Sequence, residues 1–125
     1  MAEPISPSPK VLRLAQAISK AEGFGPAENF PTRVHNPGDL EVGDIGFGMQ
    51  AGKTVFPSNE AGWNALYRQC GLMLSGESHV YTTDLTFLQV AAKYTGGDNP
   101  TAWAAIVSEG CGMQPESTLA EFVAA

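Results

Sequence analysis

Apolar residues recur at helical spacing over most of the chain, beginning with a stripe near the N-terminus. The first stretch predicts a helix from Lys10 whose apolar positions, three and four residues apart, are Val11, Leu14, Ala15 and Ile18. Glu22 follows Ile18 by four residues, so it falls on the apolar stripe and not on the opposite face. Gly23 and Pro26 then end the helix.

A long interval rich in Gly, Pro, Asn and Asp separates this helix from the rest of the chain. It covers residues 23–58, and its turn signals alternate with short apolar runs. These runs predict strands near Leu40–Val42, Ile45–Met49 and Thr54–Phe56. We therefore interpret the interval as a small irregular β-region.

Helical periodicity returns after this interval and continues to the end in four segments. Their predicted N-caps are Ser58 or Asn59, Asp84, Asn99 before Pro100, and Thr118 with Glu121 three residues later. The order of one helix, a β-region and four helices predicts an α+β fold with a helix-rich lobe. Met1–Pro9 is interpreted as a flexible Pro/Ser tail, so the predicted domain spans residues 10–125.

Composition narrows the classes of protein to which the chain can belong. Its 125 residues suit one domain, and 43% hydrophobic with 16% charged residues predict a packed core. A net charge of −6 with seven scattered Lys and Arg residues argues against binding to nucleic acid or to anionic membranes. No apolar run is long enough to span a bilayer, and residues 1–10 lack the charged-then-apolar pattern of a signal peptide.

Neither the two histidines nor the two cysteines predicts a metal or cofactor site. His35 and His79 are isolated, and no spacing of Cys, His, Asp or Glu is typical of metal ligands. Cys70 lies on the apolar face of its predicted helix, and Cys111 lies just beyond the end of another. The pair could form one disulfide or remain two buried thiols, and the sequence leaves both open.

Glu22 is the residue whose position most directly suggests chemistry. A carboxylate on an apolar stripe loses solvation, so we expect its pKa to rise by ~1–4 units and the group to act as a general acid. Cleavage of a glycosidic bond needs such a donor, because an alkoxide is a poor leaving group. The alternative is a solvated glutamate at a frayed helix end. Candidates for a second carboxylate, each of which could instead cap a turn or face water, are Glu28, Asp39, Glu41 and Asp44.

Five short stretches between Ala17 and Phe122 occur in a recognisable order: AISKAEG, RVHNPGDL, GFGMQ, VFPSNEAGWNAL and AAKYTGG. The first is similar to the helix that ends in the catalytic glutamate of lytic transglycosylases. The second resembles an Arg-x-Asn-Asn-Pro-Gly-Asn-Leu stretch of a phage-associated branch, with His35 and Asp39 replacing two asparagines. Together they resemble lytic transglycosylases and phage-type muramidases of the lysozyme-like superfamily.

The resemblance implies a lysozyme-like fold and a peptidoglycan-degrading glycosidase. It implies cleavage of the β-1,4 bond between N-acetylmuramic acid and N-acetylglucosamine, with Glu22 as acid and then as base. The N-acetyl group or the 6-hydroxyl of the muramyl sugar would supply the nucleophile, so no second carboxylate is needed. The substrate-binding residues implied by the matching motifs are Asn36, Asp39, Gln50 and Tyr94.

The implied partner is the glycan strand of peptidoglycan. The resemblance also implies a monomer in an extracellular or periplasmic location, and a possible origin in a phage. No cofactor is implied. Two other interpretations remain: a non-catalytic wall-binding or phage structural module, which the acidic charge favours, and a chitin-active relative. The sequence also leaves hydrolytic and 1,6-anhydro products open.

Overall fold

The computed structural model describes residues 7–23, 37–38, 48–50, 53–55, 58–97 and 99–125. Within these residues the chain forms the helices α1 (Pro9–Ala21), α2 (Asn59–Ser75), α3 (Phe87–Tyr94), α4 (Pro100–Gly110) and α5 (Leu119–Ala124). Two strands, β1 (Gly48–Gln50) and β2 (Lys53–Val55), pair antiparallel with Met49 opposite Thr54. Of the five helices in these ranges, none is long and apolar enough to cross a membrane.

The α+β prediction for the fold class is wrong, because the described part of the chain is helical and contains no β-lobe. In that part, strand pairing consists of one hairpin with three residues per strand and an isolated bridge between Thr86 and Thr118. A two-stranded pairing of this size cannot bury a face of its own, so it adds no second layer to the domain. Turn-forming residues mark where a chain can reverse, but they do not show that the flanking segments pair. The remaining predicted strand residues, 40–42, 45–47 and 56, lie outside the described ranges, and the lysozyme-like α+β arrangement is not retained.

The first helix begins one residue earlier than its apolar pattern predicts. Ser8 is the N-cap, with its hydroxyl oxygen accepting the N–H of Val11 at 3.3 Å, and Pro9 occupies the first helical position. These two residues were predicted to belong to the flexible tail, whose first six residues lie outside the described ranges. Local capping chemistry therefore sets this boundary.

Capping signals account for most of the other helix ends. Ser58 caps α2 as predicted, accepting the N–H of Ala61 at 3.2 Å, and the predicted capping box between Thr118 and Glu121 begins α5. The predicted cap of α3 is wrong. Thr86 forms a capping box with Gln89, whereas the carboxylate of Asp84 accepts the hydroxyl of Thr82.

Asn99 precedes α4 as predicted, but its side chain makes no capping hydrogen bond. Its backbone has φ of 52°, in the left-handed region that asparagine tolerates better than most residues. Pro100 then occupies the first helical position, as the sequence predicts. The chain direction at this point is thus set by a backbone turn and a proline.

Helices α1 and α4 pack antiparallel against each other. The guanidinium of Arg13 donates to the carbonyl of Gly110 at 3.4 Å near one end, and Glu22 meets Trp103 near the other. Gly110 permits a close approach, because a Cβ at that position would lie 2.7 Å from the Cβ of Ala17. The largest fully buried side chains of the core are Phe87, Phe122, Leu14, Ile18, Leu66, Met73, Leu119, Val90 and Val107.

Both cysteines are free thiols in the core, which decides between the two alternatives left open by the sequence. Burial raises the pKa of the Cys111 thiol to about 11, although the nearby Arg13 guanidinium acts in the opposite direction. Burial raises the pKa of Cys70 further above its usual range, and the proximity of Cys111 adds to the rise. Thiols that resist ionisation are poor nucleophiles, so the structure favours a packing role for both.

Candidate functional site

Glu22 is the C-cap residue that directly follows α1. Its backbone remains helical, with φ of −83° and ψ of −6°, and its N–H donates to the carbonyl of Ile18 at 2.9 Å. Gly23 follows with φ of 77°, a left-handed conformation that favours glycine and stops the helix. The side chain of Glu22 is half-buried. It therefore extends from the last turn of α1 along the apolar stripe that the sequence predicts.

Trp103 holds the carboxyl group of Glu22 from the neighbouring helix. The indole Nε1–H donates to Oε2 of Glu22 over 2.7 Å, a short hydrogen bond for an N–H donor. Trp103 is a buried residue of α4 with 5% of its surface exposed. This contact excludes a glutamate whose side chain is wholly solvated at a frayed helix end.

Tyr94 lies on the other side of Trp103. The ring centroid of Tyr94 is 5.0 Å from that of Trp103, with the planes tilted by 31°. The ring centroid of Tyr81 is 6.0 Å from that of Tyr94, with the planes tilted by 38°. These separations are typical of attractive aromatic pairs. The phenol hydroxyl of Tyr94 donates to the backbone carbonyl of Gly38.

Gly38 packs directly against this tyrosine and has no room for a side chain. A Cβ at position 38 would lie 2.6 Å from Cδ1 of Leu66 and 3.0 Å from the hydroxyl oxygen of Tyr94. Pro37 and Gly38 are both buried. The Pro-Gly pair of the RVHNPGDL motif therefore lies in contact with the tyrosine of the AAKYTGG motif. We refer to Glu22, Trp103, Tyr94 and Gly38 as the Glu22 cluster.

Of the five residues assigned to the site from the sequence, two lie in the Glu22 cluster. Glu22 and Tyr94 are connected through Trp103. Gln50 is described only as the last backbone residue of β1, opposite Lys53. Asn36 and Asp39 lie outside the described residues, as do the alternative carboxylates Glu28, Glu41 and Asp44.

Trp103 and Gly38 are the members of the cluster that were not among the predicted site residues. Trp103 is followed by Ile106 and Val107 at helical spacing, a pattern that indicates a core position and agrees with its burial. A buried indole N–H requires an acceptor, and a carboxylate on an apolar stripe requires a donor. These two requirements could have suggested the pair, but other polar groups could also have met each of them.

The chemical capacity of the cluster is that of an oriented carboxyl group beside aromatic faces. In the described part of the chain, no group of three or more His, Cys, Asp or Glu side chains could hold a metal ion. The indole N–H can donate to an ionised carboxylate or to the carbonyl oxygen of the neutral acid. The contact therefore orients Glu22 in both protonation states that acid–base catalysis requires.

Comparison of the chain with models of known protein families, with curated proteins and with solved structures gives no match. The function proposed below therefore depends on the sequence motifs and on the geometry of the Glu22 cluster.

Proposed function

We propose that the protein is a muramidase or lytic transglycosylase that cleaves the β-1,4 bond between N-acetylmuramic acid and N-acetylglucosamine in peptidoglycan. The observation that carries the proposal is the half-buried carboxyl group of Glu22, held at 2.7 Å by the indole N–H of Trp103. This glutamate is the penultimate residue of the AISKAEG stretch, which resembles the catalytic helix of lytic transglycosylases. The geometry and the motif thus both support Glu22 as the catalytic acid.

In the proposed reaction, Glu22 first acts as a general acid. Its proton passes to the glycosidic oxygen, which can then leave as a neutral alcohol while positive charge develops on the muramyl ring. The N-acetyl group or the 6-hydroxyl of that sugar supplies the electrons that replace the broken bond. Water or the 6-hydroxyl then bonds C1 of the muramyl sugar, and where the N-acetyl oxygen had bonded C1 first, that C–O bond breaks and the acetamido group is restored. Glu22, now a carboxylate, accepts the proton lost by the attacking oxygen and returns to its starting state.

The remaining site residues have proposed roles in binding the sugar. Tyr94 would contact the acetamido group or the ring that carries developing charge, because it lies one aromatic ring away from Glu22. Asn36, Asp39 and Gln50 are proposed as substrate contacts on the basis of the motif resemblance alone. The proposed partner is the glycan strand of peptidoglycan, met by a monomer in an extracellular or periplasmic setting.

Glu22→Gln is the substitution that tests the proposal. Glutamine keeps the size of the side chain and an oxygen that can accept the indole N–H, but it cannot transfer a proton. We expect a loss of ~10²–10⁴-fold in the clearing of purified peptidoglycan with an unchanged melting temperature. The matched control is Glu109→Gln, because Glu109 is an exposed carboxylate on α4 and its replacement makes the same change of charge.

Retention of more than about a tenth of the parent activity by Glu22→Gln would contradict the assignment of the acid, since a lost proton donor costs far more. The search would then move to Glu28 and Asp39. Mass spectrometry of the parent's products distinguishes a hydrolytic from a 1,6-anhydro end. Cleavage of chitin with no cleavage of peptidoglycan would assign the same chemistry to a different substrate.

A second candidate function is a non-catalytic wall-binding or phage structural module. The net charge of −6 favours it, because an anionic wall attracts a basic enzyme more readily than an acidic one. Sedimentation of the protein with peptidoglycan, with no released product over long incubation, would support this candidate against the first.

A further inference from the structure

A carboxyl group at the last residue of a helix needs an external contact to keep one orientation. Glu22 is the C-cap of α1, where the helical hydrogen bonds give way to the left-handed turn at Gly23. Side chains at such ends sample several rotamers unless they are packed or bonded. Trp103 on α4 provides such a contact to Glu22 through its indole Nε1–H.

Trp103 is itself restrained by its burial and by a neighbouring aromatic ring. Its side chain is 5% exposed, and its ring lies against Tyr94 at a centroid distance of 5.0 Å. Tyr94 is in turn attached to the backbone by its hydrogen bond to the carbonyl of Gly38. The indole N–H is thus presented to Glu22 by a packed ring and not by a mobile side chain.

We propose that Trp103 is a positioning residue that determines which oxygen of Glu22 carries the proton for cleavage. This inference rests on the proposed function. An indole N–H donates but never accepts, so Trp103 takes no part in the proton transfer. In the neutral acid it bonds the carbonyl oxygen, Oε2, and this places the acidic proton on Oε1. After the transfer, the same N–H stabilises the carboxylate at Oε2, so the site needs no rearrangement during the reaction.

The first test is the amide and indole ¹H–¹⁵N spectrum of the parent protein. We expect the Trp103 indole resonance to shift with pH as Glu22 ionises, and the shift to disappear in Glu22→Gln. The Trp63 indole, on α2 beside Tyr67, serves as an internal reference for general effects of pH. This measurement uses the parent fold, so it decides on the contact even if a variant at position 103 fails to fold.

The second test is kinetic and compares Trp103→Phe with Trp63→Phe. Phenylalanine keeps an aromatic ring but removes the N–H, so the acid remains present and loses its orientation. We expect Trp103→Phe to lower kcat by ~10–10²-fold with KM within about twofold, the loss typical of a misplaced catalytic group. The acidic limb of the pH profile should also move, which a purely structural residue would not cause.

The possible outcomes separate this inference from the proposed function. An active parent whose Trp103→Phe variant keeps the kcat and pH profile of Trp63→Phe overturns the positioning role and leaves the function standing. An inactive parent overturns the function, and the indole resonance then decides alone whether Trp103 holds Glu22. A Trp103 resonance that ignores the ionisation of Glu22 overturns the inference whatever the activity.

Discussion

Replacing Gly110 with alanine would disturb the contact between α1 and α4 that brings Glu22 to Trp103. A Cβ at position 110 would lie 2.7 Å from the Cβ of Ala17 and 3.4 Å from its Cα. Ala17 has no rotamer to change, so the clash can be relieved only by moving one helix relative to the other. The displacement needed is several tenths of an ångström, enough to lengthen the bond between Glu22 and Trp103.

The expected change in the free energy of unfolding of Gly110→Ala is the sum of two opposing effects. Overpacking at a close contact costs ~1–3 kcal/mol. Replacing glycine by alanine inside a helix gains ~0.5–1 kcal/mol, but Gly110 is the last residue of α4, so its gain is smaller. Gly71, in the middle of α2, provides the control because a Cβ there would meet nothing within 4 Å. Gly71→Ala should therefore be stabilising by the propensity gain alone. The difference in the free energy of unfolding between the two variants combines the clash, at ~1–3 kcal/mol, with the larger propensity gain at the mid-helix position 71.

Urea unfolding followed by circular dichroism gives both free energies, and clearing of peptidoglycan gives the activity. We expect Gly110→Ala to be less stable than the parent and less active, and Gly71→Ala to be more stable with unchanged activity. If Gly110→Ala stabilises the protein as much as Gly71→Ala does, the close approach of α1 and α4 is refuted. If Gly110→Ala is destabilised but fully active, the coupling between helix spacing and the acid is refuted.

Three further outcomes are expected. Gly38→Ala should cost ~1–3 kcal/mol and reduce activity, because its Cβ would lie 2.6 Å from Leu66 in a buried position; a melting temperature equal to the parent's would contradict this. Thiol titration without reductant should find two reactive thiols after unfolding and almost none before, since Cys70 and Cys111 are buried; none after unfolding would show a disulfide. Stability should fall as pH rises from the unfolded thiol pKa of ~8.5 towards the folded value, about 11 for Cys111, because only the folded state keeps these protons. Under reducing conditions the free energy of unfolding should fall by up to ~1.4 kcal/mol per pH unit for each thiol, and this slope should be smaller in Cys111→Ala. An equal slope in the parent and in Cys111→Ala would contradict the link between stability and ionisation of Cys111.

The positions of most helices could be predicted from the sequence, because capping residues bond to backbone groups only a few residues away. Ser58 bonds an N–H three residues away, and Thr118 and Glu121 form a reciprocal pair within one turn. Such bonds depend on neighbouring residues alone and exist wherever the segment is helical. The wrong cap at α3 shows the limit of such signals, since Asp84 and Thr86 both precede that helix and only one is in register with Gln89.

The sequence also determined where Glu22 would lie on its helix, but it did not determine what Glu22 would meet. Its partner, Trp103, is 81 residues away, and the Tyr94 contact with Gly38 spans 56 residues. The first pair depends on the distance and angle between packed helices, which depend in turn on contacts such as Gly110 against Ala17. Periodicity identifies which face of a helix is buried, but the partner of a polar group on that face is selected only when the helices pack. For the same reason the α+β prediction was wrong: strand-like composition is local, whereas a sheet exists only where separate segments pair.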